Sequence, residues 1–298
     1  MSSGYVVLPE RGLVALRGQD ARGLLQGVIS SDVERVTPMS ASYGALLTPQ
    51  GKYLFDFVIL QIGDALLLDT ERARIDDLLR RLLMYRLRAK AEIEDRSADF
   101  EVAALLGDDV VARFDLPEQV GAARALNDGV VMIDPRLADL GGRAVLPRSH
   151  SAAVFENLGL ASLPSAAYEQ ARLTLGVPDG SRDLVVDRST LLESGFEELH
   201  GVDFKKGCFV GQELTARMKY RGLVRKRLMP VVFEGPPPAP GTPIRLAGKD
   251  AGEMRSSVDG HGLALLRLEQ VARAAKDGVP LLADATEVIP HKPDWARF

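Results

Sequence analysis

The run YLFDFVILQI, residues 53–62, constrains this chain more than any other stretch. Eight of its ten residues are apolar, and it lies between two turn signals, Thr48-Pro49-Gln50-Gly51 before it and Gly63-Asp64 after it. Apolar segments resume on either side, over 43–47 and 65–69. Connections this short join only antiparallel neighbours, so the pattern predicts an antiparallel meander with tight turns.

The period then changes. Ile75, Leu78, Leu79, Leu82, Leu83 and Arg86 recur at helical spacing, predicting a helix within 71–89, with Arg72, Arg74, Arg80 and Arg81 mostly on other faces. Upstream, 12–17 reads as a strand, and Asp20 is placed to cap a helix through Leu24 and Leu25. Downstream, strands are expected over 90–95, 101–106, 130–134 and 143–146, and helices over 151–158 and 164–175. Strands and helices mixed in this order fit α+β layers and not a doubly wound parallel sheet. After Glu234 comes the stiff segment GPPPAPGTP. Strand candidates over 228–233, 243–246, 252–257 and 263–268 then predict a small antiparallel barrel or sandwich. The division expected is therefore 1–227 and 228–298.

A length of 298 residues suits two or three domains, and 46% apolar residues is the share of a soluble globular chain. No window reaches the roughly 18–20 apolar residues of a membrane span, so no membrane partner is expected. The opening MSSGYVVLPERG lacks the pattern of a leader, which points to the cytoplasm. A net charge of −4 argues against direct nucleic-acid binding.

One cysteine, Cys208, excludes an internal disulfide and a self-contained zinc or iron–sulfur site built on thiolates, so no metal site is expected. Any cluster touching it would need further ligands from a partner, a second copy or a small thiol. Lys205 and Lys206 nearby favour the thiolate, while Asp203 opposes it. Gly207 and Gly211 predict a tight turn or a close backbone approach. On these residues alone, a reactive thiol and an inert buried one remain equally open. The histidines, His150, His200, His261 and His291, show no spacing that declares a catalytic partner, and His200 reads as a surface or cap residue. The stretch ARMKYRGLVRKR carries six basic residues among twelve. As a strand it would place Arg217, Lys219 and Arg221 on one face, suited to a polyanion or, more plainly, to a charged sheet edge.

Lys206-Gly207-Cys208-Phe209-Val210-Gly211-Gln212-Glu213, followed by Ala216-Arg217 and Tyr220-Arg221-Gly222, resembles the signature of the YgfZ family. That family comprises folate-binding proteins of iron–sulfur enzyme maintenance and tRNA modification and includes a mitochondrial assembly factor. GLVALRGQDARGLLQGVISSDV, TPQGKYLFDFVIL and ARLTLGVP extend the resemblance over nearly the whole chain. It lies within the superfamily of the glycine-cleavage aminomethyltransferase. The implied fold is two interwoven α+β domains and a C-terminal β-barrel around a central tetrahydrofolate site.

The resemblance also assigns roles. Cys208 would be the reactive group, with Lys206 beside it, and Gly207, Phe209, Gly211, Gln212 and Glu213 the motif that presents it. Tyr168 would be the aromatic wall for a pterin and Arg172 its companion on the same helix face. Glu193 is the candidate carboxylate, and Arg217 and Arg221 would face the charged tail. The aminomethyltransferase carries two adjacent aspartates after its glycine turn, and those positions here are Phe55 and Asp56. A phenyl ring cannot act on a proton, which argues against glycine-cleavage chemistry.

The expected function is a folate-binding accessory protein acting transiently on iron–sulfur enzymes or assembly factors. The alternative is a folate-dependent one-carbon transferase relying on Asp56. A third reading, RNA binding through residues 217–227, is disfavoured by the acidic total.

Overall fold

The computed structural model describes residues 3–107 and 111–298. Among the described residues the strands form three sheets. A five-stranded sheet has the order Ser42–Leu47, Tyr53–Ile62, Ala65–Glu71, Arg11–Arg17, Glu92–Asp95. A six-stranded sheet has the order Ala161–Ser162, Gly4–Val7, Phe100–Leu106, Gly142–Pro147, Gly129–Ile133, Ala123–Leu126. The remaining strands, Lys226–Val232, His261–Arg267, Lys249–Val258, Pro243–Leu246, Leu281–Ala283 and Thr286–Pro290, close into a barrel.

The first two sheets pack face to face. Leu13, Ala15, Val58 and Leu67 of one share a core with Val6, Val102, Ala104, Met132 and Val145 of the other. Helices Ala21–Val28 and Ile75–Arg86 cover the outer face of the five-stranded sheet through Leu25, Leu78 and Leu82. Helix Ser151–Asn157 covers the outer face of the six-stranded sheet through Val154 and Phe155. Tyr53–Ile62 is thus covered on both faces, and its first eight residues are all buried, which is why it shows so little alternation. The chain weaves between the layers: Gly4–Val7 belongs to one sheet and Arg11–Arg17 to the other.

Several expectations shift. The helix expected within 71–89 divides into a 3-10 turn, Arg72–Arg74, and the α-helix Ile75–Arg86. Asp20 does not cap its own helix; its carboxylate accepts the Lys90 backbone N–H at 2.7 Å and ties helix to strand instead. The basic stretch is not a strand. Gln212–Tyr220 is a helix, so Lys219 points away from Arg217 and Arg221, and the one-face arrangement fails. Strands Gly4–Val7, Ala123–Leu126 and Ala161–Ser162 and helix Leu268–Asp277 went unread.

The barrel begins at Lys226 and fills its interior with Met229, Val231, Ile244, Met254, Leu266 and Val288. Helix Ser165–Leu175 is its seam with the rest. Leu173 packs on Leu228 and Leu263, and the Trp295 indole N–H donates to the Leu175 carbonyl at 2.7 Å.

Candidate functional site

Cys208 is exposed, on a loop fixed at both ends. On one side, Lys206 Nζ donates to the carbonyls of Gln26 (2.7 Å) and Ile29 (2.6 Å), capping the C-terminal end of helix Ala21–Val28. Half-burial there brings the Lys206 pKa down to about 8. Its ammonium is therefore engaged by these carbonyls and not presented to the thiol. On the other side, Phe209 enters the central core and Val210 packs on the core beneath the helices.

The glycines of this segment have distinct reasons. Gly211 has φ +80, and a Cβ there would lie 2.4 Å from the Thr48 carbonyl oxygen and 3.0 Å from Gly51 Cα. Gly51 has φ +76 and faces the Gly211 carbonyl in turn. The glycine turn and the cysteine motif thus meet backbone to backbone, which only glycine at both positions permits. Gly207, at φ +101, needs its conformation but has open space around it. Gln212 Oε1 accepts the Phe209 N–H at 3.3 Å, and Glu213 lies exposed in the first turn of its helix, where a carboxylate complements the dipole.

Between the two sheets lies a buried polar network. Asp56 accepts the hydroxyls of Tyr43 and Tyr53, each at 2.8 Å. Burial raises its pKa despite the nearby Arg11. Phe55 faces the other way, into the helix-covered core, with Arg74 over its ring at 4.2 Å. Ordinary alternation sets the two apart, and a bulge precedes them: Leu46 pairs with Phe55 but Leu47 with Tyr53, so Leu54 is extra and both Leu54 and Phe55 face outward. The carboxylate on the inward face is Asp56.

Asp69 is bound by Arg11 (2.7 Å) and Arg143 (2.5 Å), and Asp134 by Arg136 (2.8 Å). Those arginines hold Asp134 down at about 2. The Tyr168 hydroxyl accepts from Arg136 (3.0 Å) and Arg143 (3.2 Å). Arg172 has no exposed side-chain surface. Its donors go to Glu169, Asp183 (2.7 Å), Ser256 Oγ (2.9 Å) and the Val177 carbonyl. The five N–H groups of a guanidinium are thereby used within the protein, so a ligand-binding role for Arg172 does not fit. Glu193 accepts Thr190 Oγ1 at 2.8 Å, while Arg217 and Arg221 stand exposed on the helix after the cysteine. The structure does not gather Tyr168, Arg172, Glu193, Arg217 and Arg221 around one cavity.

The cavity that does adjoin the cysteine loop is a groove of about 540 Å³ lined by Ser31, Arg35, Tyr43, Gln119, Glu197, His200 and Asp203 among others. It continues into a second lobe of about 510 Å³ bordered by Glu198, Phe204, Lys205, Lys219 and Arg297. Ser31 Oγ and Glu198 Oε2, one on each lobe, are buried without a hydrogen-bond partner. Burial and Arg297 push the His200 pKa down. Sequence reading missed this lining. Its members come from six separated segments, 31–43, 118–120, 135, 197–205, 219 and 297, and no local pattern signals a shared wall. Among the described residues no group of three or more His, Cys, Asp or Glu could hold a metal ion.

Residues 225–298 match the family of the CAF17 C-terminal beta-barrel domain. The human protein "Iron-sulfur cluster assembly factor IBA57, mitochondrial" is 31% identical, covering 97% of this chain and 84% of its own. The homolog from Mycosarcoma maydis is 33% identical over 90% of this chain and 74% of that protein, and the mouse protein 32% over 97% and 84%. Among solved structures, aminomethyltransferase T of the glycine cleavage system from Bartonella henselae superposes with a TM-score of 0.77 at 15% identity. The superposition covers 99% of this chain and 86% of that one. The fold is accordingly aminomethyltransferase-like, α+β with a closed C-terminal barrel, as expected. The cytoplasmic assignment is overturned, because these curated relatives are mitochondrial proteins.

Proposed function

The chain belongs to the IBA57 family of iron–sulfur cluster assembly factors, and from that premise we propose that it presents Cys208 as a single exposed thiolate ligand during cluster assembly. The carrying observation is that the only cysteine sits exposed on a loop pinned by Lys206 and Phe209. One thiolate cannot hold a cluster alone, since such clusters take about four protein ligands. The remaining ligands therefore come from a partner in the assembly machinery, engaged transiently, with the cluster as cargo. The finer reading, nearer to YgfZ, extends this to maintenance of enzymes that modify tRNA.

Folate binding belongs to this proposal too. Of the residues first nominated, Arg172 has every donor taken inside the protein, and Tyr168 is 5% exposed, its ring buried in the core. The groove fits better. Its size lies within the roughly 300–1,000 Å³ of small-molecule sites. Glu197, which meets Lys219 through Oε1 alone, can accept a pterin N–H through Oε2, and the orphaned Ser31 Oγ and Glu198 Oε2 gain partners. Lys205 and Arg297 at the mouth suit a carboxylate tail. Bound there, tetrahydrofolate would supply one-carbon chemistry. This chain's residues hold and orient it beside the cysteine loop. The alternative of one-carbon transfer through Asp56 is the weaker reading, because both Asp56 oxygens are already engaged and the side chain is buried.

The test is a tetrahydrofolate titration of wild type and Cys208→Ala, beside complementation of a deletion strain by each. Equal folate binding with lost complementation is expected. Full complementation by Cys208→Ala would remove the thiol from the function, and absent binding by both would remove folate.

A further inference from the structure

The helix Ile75–Arg86 is apolar on two faces. Ile75, Leu78 and Leu82 are buried against the sheet, yet Leu83, Met84 and Leu87 stand 42%, 68% and 86% exposed. All three lie at the C-terminal end of the helix, Leu83 and Met84 in its last turn and Leu87 directly after it. A helix apolar on a second face ordinarily has that face covered. Around them Arg80, Arg81, Arg86, Arg88 and Lys90 are all exposed, and no acidic residue occurs between Asp77 and Glu92. Arg80 pairs with Asp77; the other four have no carboxylate within ion-pair reach among the described residues. A chain of net charge −4 thus concentrates five cations at one apolar spot.

Leu87 carries a further sign. It occupies a turn closed by the Ala89 N–H on the Arg86 carbonyl at 2.7 Å, with φ 44 and ψ −106. Glycine is the residue suited to that conformation, and a leucine there is strained. Among the described residues, the most exposed large apolar side chain thus sits at a backbone position that disfavours any side chain. Strain of this kind persists where it serves a function.

We propose that this basic-apolar tip docks the protein on an anionic lipid surface. Leu83, Met84 and Leu87 would enter the headgroup boundary while the arginines and Lys90 contact lipid phosphates. Neither lobe of the groove lies here, and five exposed cations around three exposed apolar side chains complement a surface that is at once anionic and apolar beneath. A soft, anionic layer that yields around three projecting side chains suits that arrangement. Lying on a bilayer is distinct from crossing one, and no described helix is long and apolar enough to cross. The assignment is independent of the cysteine and the groove.

Flotation of the full chain with vesicles tests it, using phosphatidylcholine alone or with one-third phosphatidylserine, at low and high salt. Binding to the anionic vesicles only, weakened by salt, is expected. Arg81→Glu/Arg88→Glu should reduce it at least tenfold, and Leu87→Gly should reduce it without lowering the melting temperature. No flotation, or equal flotation by the variants, overturns the proposal. So does salt-sensitive binding to soluble polyglutamate that is indifferent to Leu87→Gly, which would point to an acidic protein instead.

Discussion

Replacing Gly211 by alanine tests whether the glycine turn and the cysteine motif are one unit. At φ +80 an alanine pays about 1–2 kcal/mol for its backbone conformation. The Cβ then meets the Thr48 carbonyl oxygen at 2.4 Å and Gly51 Cα at 3.0 Å, all main chain, so the turn itself must move. Overpacking of this kind adds about 1–3 kcal/mol, and the midpoints of the two ranges sum to about 3–4 kcal/mol. Gly207→Ala is the internal control. It shares the positive φ but meets nothing within 4 Å, so it should cost only about 1–2 kcal/mol. At about 2.1 cal/mol/K per residue, 298 residues give roughly 0.6 kcal/mol per degree. Gly211→Ala should therefore melt about 5–6 °C lower and Gly207→Ala about 2–3 °C lower, by calorimetry. Equal shifts for the two variants would refute the backbone contact as the reason for Gly211.

Three further outcomes follow from the same geometry. Lys206, with its pKa near 8, should be labelled by an amine-reactive reagent with a pH midpoint about 8, ahead of the exposed lysines; labelling only above pH 10 would contradict its half-buried setting. Arg172→Met leaves the buried Asp183 without its cation, while Glu169 keeps Arg182, and should destabilise by about 3–5 kcal/mol, seen in urea unfolding together with faster proteolysis near residue 225; an unchanged urea midpoint would show that the clamp is not needed. On acidification, Asp134 loses stabilisation as pH falls from 3.8 towards about 2. Asp56, whose folded pKa is raised, has the opposite sign: its contribution grows as pH falls through that value. Asp56→Asn should therefore remove a stability term that strengthens with acid, measurable as a flatter pH profile above pH 4.

Much of this architecture was legible because it is written in local period. The strand Tyr53–Ile62 and the helical spacing from Ile75 to Leu82 each declare themselves within a dozen residues. The barrel likewise followed from short strands punctuated by glycine. What stayed hidden depends on partners distant in sequence. Asp20 looked like a cap but binds Lys90, seventy residues away. The sequence did not show which of Phe55 and Asp56 faces inward, nor that a bulge set by pairing with Leu46 and Leu47 makes Leu54 an extra residue before them. At the site, the cysteine and its glycines were readable as a motif. Lys206 was placed beside the thiol by sequence, yet the carbonyls of helix Ala21–Val28 claim it. Tyr168 and Arg172 had the right chemistry for a ligand and spend it inside the protein.

The crossing of the first seventeen residues between sheets bears on how the chain comes to be folded. Gly4–Val7 finds its neighbours at Phe100–Leu106 and Ala161–Ser162, while Arg11–Arg17 finds its own at Ala65–Glu71 and Glu92–Asp95. A ribosome emitting this chain releases its opening strand some 155 residues before the last of those neighbours, Ala161–Ser162, appears. The leading segment waits about a hundred residues for its long partner, Phe100–Leu106, and longer for the two-residue edge at Ala161–Ser162. The five-stranded sheet has all its strands once residue 95 is out, whereas the six-stranded sheet gains its last only at residue 162. Cutting the gene between residues 95 and 162 should therefore leave the first layer with its strands and the second without its edge.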